Sequence, residues 1–388
     1  MSKRVLIVDF NHMVHTYNYA KVRLSMKVRT TEGIVEKDTT IQNGTLKSIN
    51  RWSKGGAYPT VVCFDRPVPA RRGYFQSKFE AMSIGSGNEY KGNRSSMSDA
   101  MYTAIGDCES VLKAAGIGAF ASKGYEADDL IYAFVKQAKL EHPGTPIDIV
   151  TNDSDLLPLV DDTVSVFLRS KTMTYAEEKS IEKTHYVQVT PKNYAEVVCN
   201  LSAYRGFYLP YNTLLLHKLL RGDSSDQFGC KDISAEFSAK KFNAFIERLE
   251  GSGEVDFEND FRYSDTEYAI RYRDSGEEYT GDTSNLSNEE KARLNQILKK
   301  TIEDSQTLKK IKYILGKYST LNEEQIERVG YIYNGMNLNQ AYSSSQEALR
   351  RKSIDLSQSG DNYIKGYNED EFAKLLKSSL DINLKRYV

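Results

Sequence analysis

Several short apolar runs in this chain are followed by acidic residues, and this pattern restricts the possible folds more than any other feature. Continuous apolar runs of this length are typical of strands that are buried on both faces of a parallel sheet. Each acid would therefore lie at or just beyond the carboxyl end of a buried strand. The runs cover residues 4–8 and 60–64, and residues 147–151 and 164–168 are predicted as further strands, the former with Asp148 as its one charged residue. The acids that follow the first three are Asp9, Asp65, Asp153 and Asp155.

Helical patterns alternate with these runs through about residue 170. They cover residues 40–52, 98–115 and 126–140. This alternation predicts an α/β fold with a parallel, doubly wound sheet. In such a sheet the carboxyl ends of the strands meet at one edge, and ligands bind there.

The strand pattern fades after residue 226. Residues 235–249 have helical periodicity, and a capping-box spacing at residues 287–290 predicts the start of a long helix. Between them, residues 251–286 are rich in Gly, Ser, Asp and Glu and predict a loop, and a polar Ser/Gln-rich break is expected around residues 343–360. We therefore expect two domains. The first is an α/β domain over residues 1–226, and the second is a mostly α-helical domain over residues 227–388.

The stretch from Gly124 to Ile131 carries three carboxylates within four residues, Glu126, Asp128 and Asp129, at the start of an apolar helical pattern. The helix macrodipole favours acids in a first turn, which accounts for one or two of them. Glu126 and Asp129 are three residues apart and share a helix face, where like charges repel. A divalent cation would reverse that repulsion. By itself the stretch fits either a helix start or a metal site.

The composition excludes several kinds of protein. The chain has 388 residues, of which 40% are hydrophobic, and a net charge of −1. No apolar run approaches the roughly 20 residues of a membrane-spanning helix, and the N-terminal run is too short for a secretory signal. The four cysteines are scattered without a CxxC pair, which argues against a zinc site and favours a reducing compartment.

Residues 66–96 combine basic side chains with aromatic ones and are punctuated by glycines. Such a mixture suits an element that grips a phosphate backbone and stacks on bases. The same composition also fits a solvated loop, and the residues alone leave both interpretations open.

The acidic residues would converge on one edge of the predicted sheet. Gathering them without cations would raise their pKa values and cost stability. Ligands that are all oxygen favour magnesium or manganese over zinc, and two such ions about 4 Å apart are a standard device for in-line displacement at phosphorus. We expect ordinary core or surface roles for His12 and His15. The candidate metal ligands are Asp9, Asp65, Glu126, Asp128, Asp129, Asp153, Asp155, Asp223 and Asp226.

Five motifs, in the same order along the chain, resemble those of the structure-specific 5′ nucleases. That family comprises flap endonucleases, the 5′ exonuclease domain of bacterial DNA polymerase I, and the phage enzymes called RNase H or 5′ exonuclease. The resemblance covers about residues 1–230, and the remaining helices resemble the family only loosely. The motifs are Phe64-Asp65, Glu89-Tyr90-Lys91-Gly92-Asn93-Arg94, residues 124–131, residues 151–157, and Leu220-Arg221-Gly222-Asp223-Ser224-Ser225-Asp226.

The resemblance implies a PIN-like α/β core with a helical arch over about residues 66–96. Lys91 and Arg94 would contact the scissile phosphate, where a positive group offsets developing charge. The implied cofactors are two Mg²⁺ ions, with Mn²⁺ as a substitute. The metal ligands would be Asp9, Asp65, Glu126, Asp128 and Asp129 for one ion and Asp153, Asp155 and Asp226 for the other, with Asp223 as an outer-shell or second-ion ligand.

One departure from the family lies just after Asp226. The family usually continues with a glycine-rich hairpin that grips duplex DNA, often with a potassium ion. Here residues 227–233 lack the second and third glycines, which leaves the K⁺ site open; some phage members share this feature. The basic residues that we expect to bind DNA are Arg71, Arg72, Lys78, Lys231, Lys240 and Lys241.

These features predict a magnesium-dependent 5′-3′ exonuclease and flap endonuclease that removes RNA primers in DNA replication or repair. The expected partners are branched, nicked or RNA-primed DNA, with a single-strand-binding protein or a sliding clamp. We expect a monomer without a membrane segment, in the cytoplasm, or in the host cytoplasm if the chain is phage-encoded. One alternative is a PIN-type ribonuclease, which does not account for the Gly-Asp-x-x-Asp motif. Another is a catalytically silent DNA-junction-binding protein, which has no need of the full acid set.

Overall fold

In a computed structural model the chain divides into two compact units, which are described separately below. The first unit lies within Met1–Gly73 and Asn93–Val197, and the second lies within Tyr74–Gly92 and Val198–Asn339. The division falls near residue 197, upstream of the predicted domain boundary at residue 226. The structure describes residues 4–20, 23–31, 33–65, 72–73, 75, 90–92, 96–121, 126–176, 179–260, 287 and 307–336.

The first unit is built on a six-stranded sheet and a separate two-stranded hairpin. The strands are β1 (Val5–Asp9), β2 (Ser25–Thr30), β3 (Gly33–Asp38), β4 (Thr60–Cys63), β5 (Gly118–Phe120), β6 (Ile147–Thr151), β7 (Val164–Ala176) and β8 (Lys179–Val189). The order in the large sheet is β5-β4-β1-β6-β7-β8, and β2 pairs with β3. The first five strands of that order are parallel, as predicted, and the edge strand β8 is antiparallel to β7.

Helices cover both faces of the large sheet, so the predicted doubly wound arrangement is confirmed. One face packs on α1, α2 and α3 around Leu6, Val8 and Val62. Successive strand residues point to opposite faces, and on the other face Phe120 contacts Phe134 of α4, with ring centroids 4.8 Å apart. These helices are α1 (Phe10–Asn18), α2 (Thr40–Trp52), α3 (Asp99–Ala114) and α4 (Ala127–Glu141).

The sheet differs from the sequence-based expectation in two places. The apolar pattern predicted a strand only at residues 164–168, whereas β7 continues to Ala176. Residues 164–168 pair with β6, and the remainder of β7 continues along β8 beyond the end of β6. The hairpin β2–β3 was not predicted because β3 is largely exposed and therefore lacks an apolar run.

The second unit is helical. Its helices include α6 (Leu214–Arg221), α7 (Lys231–Glu236), α8 (Ala239–Ser252), α9 (Phe257–Asp260), α10 (residues 307–318) and α11 (Glu323–Met336), and α5 (Tyr194–Asn200) spans the division between the units. The helical prediction for residues 235–249 is confirmed except at Phe237 and Ser238, where the helix is interrupted. The chain leaves the helical conformation at Phe237 and restarts after Ser238, a residue type that favours helix starts.

Several predictions concern residues outside the described ranges. These are most of the arch at residues 66–96, the loop from residue 261 onward, the capping-box glutamate at residue 290 and the polar break at residues 343–360. The beginning of the predicted loop, from residue 251, is partly helical because it contains the end of α8 and α9. No helix within the described ranges is both long enough and apolar enough to cross a membrane.

Candidate active site

Asp9 is the buried acid at the end of β1, and only 6% of its surface is exposed. Its Oδ2 accepts a hydrogen bond of 2.8 Å from the hydroxyl of Thr151, at the end of the neighbouring strand β6. Burial raises the pKa of the Asp9 carboxyl, and the hydrogen bonds from Thr151 and from the backbone of His12 and Asn11 oppose that rise only in part. Asp9 is therefore a carboxylate whose charge is poorly balanced inside the protein.

His12, in the first turn of α1, forms a hydrogen bond with the backbone of Asp9. Its Nδ1 lies 2.6 Å from the carbonyl oxygen of Asp9, and its Nε2 lies 2.9 Å from the hydroxyl of Tyr186. Because burial lowers the pKa of His12 to about 4, the ring is neutral near pH 7. A carbonyl only accepts, so Nδ1 carries the proton and Nε2 accepts from Tyr186. His12 consequently fixes the backbone at Asp9 without neutralising its carboxylate.

Three acids organise the start of α4. The Oδ1 atom of Asp65 accepts a hydrogen bond of 2.7 Å from the backbone N–H of Ala127, the first residue of the helix. Glu126 and Asp129 form a capping box in which Asp129 Oδ2 accepts from the Glu126 N–H at 3.0 Å. The helix-start interpretation is confirmed for these two buried acids. Asp128, in the same turn, is half-buried.

The acids after β6 are linked to Asp9 through Thr151. The Thr151 hydroxyl accepts a hydrogen bond of 2.9 Å from the backbone N–H of Asp153, and Asp153 Oδ1 accepts one of 2.9 Å from the N–H of Asp155. Thr151 therefore connects two predicted metal ligands that are 144 residues apart in the chain. Sequence reasoning did not assign it a role, although its place two residues before Asp153, at the end of the predicted strand, was a usable indication.

Cys63 is a buried cysteine whose thiol is affected by several of the predicted metal ligands. It ends β4 and is the Cα partner of Asp9 in the sheet. Burial raises the pKa of the Cys63 thiol well above its usual value, and the charges of Asp9, Asp128 and Asp65 raise it further. The geometry places these acids near Cys63: Asp9 is its partner in the sheet, and Asp65 binds the N–H of Ala127, the residue before Asp128.

The chemistry of these donors fits a hard divalent cation. Carboxylate and hydroxyl oxygens are the ligands that magnesium and manganese prefer, and a buried acid such as Asp9 becomes favourable once a cation balances it. Within the described ranges, no three His, Cys, Asp or Glu side chains are close enough together to enclose a metal ion. The full coordination set therefore stays a prediction.

Asp226 lies in the second unit, where it contacts Tyr90 and Lys91. The Tyr90 hydroxyl donates to Asp226 Oδ2 at 3.2 Å, and Lys91 Nζ lies 3.7 Å from the same oxygen. The Lys91 N–H donates to the Asp226 carbonyl at 3.0 Å and holds Lys91 at a φ of 56°, a conformation that is uncommon outside glycine. Two predicted site residues, Lys91 and Asp226, are therefore brought together within this unit.

Asp223 also lies in the second unit, and its contacts differ from those of Asp226. Its Oδ2 accepts from Lys218 Nζ at 2.6 Å. Burial by itself raises the pKa of the Asp223 carboxyl, but Lys218 and the hydroxyl and N–H of Ser225 lower it to about 2. Sequence reasoning missed Lys218, although it is one of two polar residues that interrupt the apolar helix α6.

The basic residues predicted to bind DNA are only partly described. Lys231 on α7 and Lys240 and Lys241 on α8 have exposed side chains, and Arg72 is half-buried. Arg71, Lys78 and Arg94 lie outside the described residues. The predicted roles of all these side chains stay predictions.

Residues 4–185 match the family model described as the 5′-3′ exonuclease, N-terminal resolvase-like domain. A 5′-3′ exonuclease of Buchnera aphidicola subsp. Schizaphis graminum is 31% identical over 161 residues, which are 40% of this chain and 47% of that protein. DNA polymerase I of Mycobacterium leprae is 39% identical over 121 residues, which are 30% of this chain and 12% of that protein. The chain thus spans less than half the length of these curated relatives.

Among solved structures, the T5 D15 protein co-crystallised with metal ions is 12% identical, with a TM-score of 0.44 over 97% of this chain and 100% of that chain. The catalytic core of Rad2 in complex with a DNA substrate is 14% identical, with a TM-score of 0.40 over 100% of this chain and 89% of that chain. Likeness at this level says nothing by itself about the activity of the present chain.

Proposed function

We propose that this chain, whose residues 4–185 match the family model of the 5′-3′ exonuclease N-terminal domain, is a metal-dependent nuclease that hydrolyses phosphodiester bonds at 5′ ends and 5′ flaps of DNA. One observation carries the proposal: Asp9 is the sheet partner of Cys63 at the end of β4, and Asp65, two residues after Cys63, accepts a hydrogen bond from Ala127, which precedes Asp128. All of these residues lie in the part of the chain that the family model covers. Carboxylates at the carboxyl edge of an α/β sheet are placed to receive cations and a ligand.

Magnesium is the proposed cofactor, with manganese as a substitute. The residues of the first unit that would hold it are Asp9, Asp65, Glu126, Asp128, Asp129, Asp153 and Asp155. When bound, divalent cations supply Lewis-acid stabilisation of the charge that develops on the phosphate oxygens. The protein's own contribution is orientation, because Thr151 fixes Asp9 relative to Asp153 and Asp65 fixes the start of α4.

Lysine side chains of the second unit are proposed to bind phosphate groups of the DNA. Lys91 is proposed to contact the scissile phosphate, where its ammonium offsets developing charge. The exposed Lys231, Lys240 and Lys241 are proposed to bind duplex phosphates, with release of counterions. The substrates would be branched, nicked or RNA-primed DNA, and the biological task would be primer removal in replication or repair. A monomeric state, a cytoplasmic location and contacts with a clamp or a single-strand-binding protein are further parts of this proposal.

The deciding experiment is a cleavage assay with Mg²⁺ on a labelled 5′ flap, a nicked duplex and an RNA-primed duplex. The unmodified chain should cut at least one of them, and EDTA should stop the reaction. Asp155→Ala should lower the rate by at least about 10³-fold, since several kcal/mol of charge stabilisation would be lost. DNA binding by this variant should remain measurable.

Asp162→Ala is the matched control, because Asp162 is an exposed aspartate that precedes β7 at the opposite edge of the sheet. It should cut at the rate of the unmodified chain. Full turnover by Asp155→Ala would contradict the metal-dependent mechanism. Binding to all three DNA substrates without any cleavage would instead favour a silent junction-binding protein.

A further inference from the structure

The segment from Gly222 to Gly229 forms a closed loop in the second unit. Asp223 and Phe228 exchange two backbone hydrogen bonds, with N···O distances of 2.9 and 3.2 Å. A Cβ atom on Gly222 would lie 2.7 Å from the Phe228 carbonyl oxygen, and one on Gly229 would lie 2.8 Å from the Gly222 Cα. Both glycines have positive φ, 74° and 135°. The backbone at the base of the loop is therefore too close for any side chain.

Both oxygens of the Asp223 carboxylate accept hydrogen bonds from Lys218 of α6 and from Ser225 of the loop. Its Oδ2 binds Lys218 Nζ at 2.6 Å, and its Oδ1 accepts from the Ser225 N–H at 2.8 Å and from the Ser225 hydroxyl at 2.5 Å. The Lys218 side chain is 4% exposed and that of Asp223 is 11% exposed. An ion pair this deeply buried is costly to break, because either partner alone would be an unbalanced charge.

Asp226, at the far side of the same loop, is held differently. Its carboxylate contacts the Tyr90 hydroxyl and, at a longer distance, Lys91. Aromatic stacking supports the contact, since Phe75 stacks on both Tyr90 and Phe228 with ring centroids 5.0 and 5.7 Å apart. The loop thus carries Asp226, and its base is held in place by the ion pair of Asp223 with Lys218.

The first unit contains a similar aspartate that is bound to a lysine and to a hydroxyl residue, away from the proposed metal site. Asp161 pairs with Lys139, and its Oδ1 accepts from the N–H and the hydroxyl of Thr163 and from the Val164 N–H, each at 2.8 Å. It lies before β7, at the edge opposite the acids, because β7 runs parallel to β6. An aspartate bound to a lysine and to the serine or threonine two residues later is here a clamp for a turn.

We infer that Asp223 is a positioning residue: the Lys218–Asp223 pair fixes the loop that presents Asp226, and Asp223 does not itself bind a metal ion. This inference departs from the sequence-based expectation that Asp223 is an outer-shell or second-ion ligand. It rests on the proposed function, since the sequence-based expectation that Asp226 is a metal ligand applies only if the protein is a metal-dependent nuclease. The reason is geometric, because both Asp223 oxygens already face donors: Oδ2 faces Lys218 of α6, and Oδ1 faces Ser225 within the loop.

The experiment compares Asp223→Asn with the double variant Lys218→Met/Asp223→Asn in the full chain. The melting temperature is measured in EDTA, and Mn²⁺ affinity is measured by electron paramagnetic resonance of the free ion. Asp223→Asn strands the buried Lys218 ammonium, so the melting temperature should fall by about 5–10 °C. Mn²⁺ affinity should weaken with it, because the loop that carries Asp226 loosens.

The double variant separates the two roles. Its neutral pair removes the stranded charge, and an asparagine can still accept from Ser225. If Asp223 only positions the loop, both the melting temperature and the Mn²⁺ affinity should return, the latter to within about threefold. If the melting temperature returns but Mn²⁺ binding stays weaker by about tenfold or more, Asp223 is a ligand and the inference is wrong.

Two further measurements close the test. Lys139→Met/Asp161→Asn is the matched control, and it should leave Mn²⁺ affinity unchanged whatever it does to the melting temperature. An Asp223→Asn variant that keeps both its melting temperature and its Mn²⁺ affinity would also overturn the inference. Cleavage is measured separately, so a protein that binds Mn²⁺ without cutting DNA would refute the proposed function and leave the role of Asp223 standing.

Discussion

Asp9 in the first unit and Asp223 in the second are aspartates whose side chains are similarly exposed to solvent but whose pKa values shift in opposite directions. Their side chains are 9% and 11% exposed. Burial raises the pKa of Asp9, and the hydrogen bonds from the Thr151 hydroxyl and the backbone, together with His15, oppose the rise only in part. Burial also acts on Asp223, but the Lys218 ammonium outweighs it and the pKa falls to about 2.

The difference separates an acid that is available to a cation from one that already has its cation. A buried carboxylate without a positive partner costs stability unless a ligand supplies the charge. A carboxylate paired with a buried lysine has that charge built in, and removing either partner is what costs stability. The edge of the first unit therefore has the character of a binding site, and the loop base of the second unit has the character of a scaffold.

The strongest way to break this comparison is to neutralise Asp9. Asp9→Asn should lower cleavage by at least about 10³-fold, because a carboxylate ligand is lost. In the unmodified chain, divalent cation at about 100 times its Kd should add about 2.7 kcal/mol to the free energy of unfolding. Asp9→Asn should lose most of that increment. Denaturant unfolding with and without Mn²⁺ checks it, and an undiminished increment would show that Asp9 is not a ligand.

A smaller effect is expected at Lys91, whose ammonium lies 3.7 Å from the Asp226 carboxylate. Lys91→Ala should slow the chemical step by about 10²-fold, the usual cost of removing one group that stabilises developing charge. DNA affinity should change by only a few-fold. Single-turnover kinetics separate the two quantities, and Lys240→Ala, which removes an exposed lysine, is the control for binding alone. A pure loss of affinity in Lys91→Ala would reassign Lys91 to substrate positioning.

The smallest predicted effect concerns His217, a buried histidine of the second unit. Both of its ring nitrogens are buried without a hydrogen-bond partner among the described residues, between the rings of Tyr204, Phe207 and Phe242. Burial, followed by Arg221 and Lys218, lowers the pKa of His217 to about 4. His12 in the first unit is equally buried but has two hydrogen-bond partners.

Because the pKa of His217 is lower in the folded protein than in the unfolded chain, the unfolded chain takes up the proton first as pH falls. The stabilisation is complete above about pH 6.5 and is lost toward pH 4. His217 alone should remove about 2 kcal/mol of unfolding free energy between pH 7.5 and pH 5. Urea unfolding at both pH values checks this, and His217→Leu should show a correspondingly weaker pH dependence. Identical pH dependence in the two proteins would refute the assignment.

Local patterns were sufficient to predict the centre of the first unit. The apolar runs at residues 4–8, 60–64 and 147–151 correspond to β1, β4 and β6, which are neighbours in the sheet. A strand buried on both faces is mostly apolar, so its run of Val, Ile and Leu residues stands out in the sequence. In β6 the one acid, Asp148, is paired with Arg4. The long hairpin of β7 and β8 extends beyond β6 and is not constrained in this way, which is why its extent was missed.

The site divides along the same line. The sequence alone determined which acids follow which strands, because strand and helix periodicity are properties of adjacent residues. Only the tertiary structure decided that Thr151 joins Asp9 to Asp153, that Asp65 anchors the start of α4, and that Lys218 neutralises Asp223. The physical reason is that the free energy of a buried charge depends on the few ångströms around it. That space is filled by residues that are far apart in the chain, and the periodicity of neighbouring residues cannot predict which ones they are.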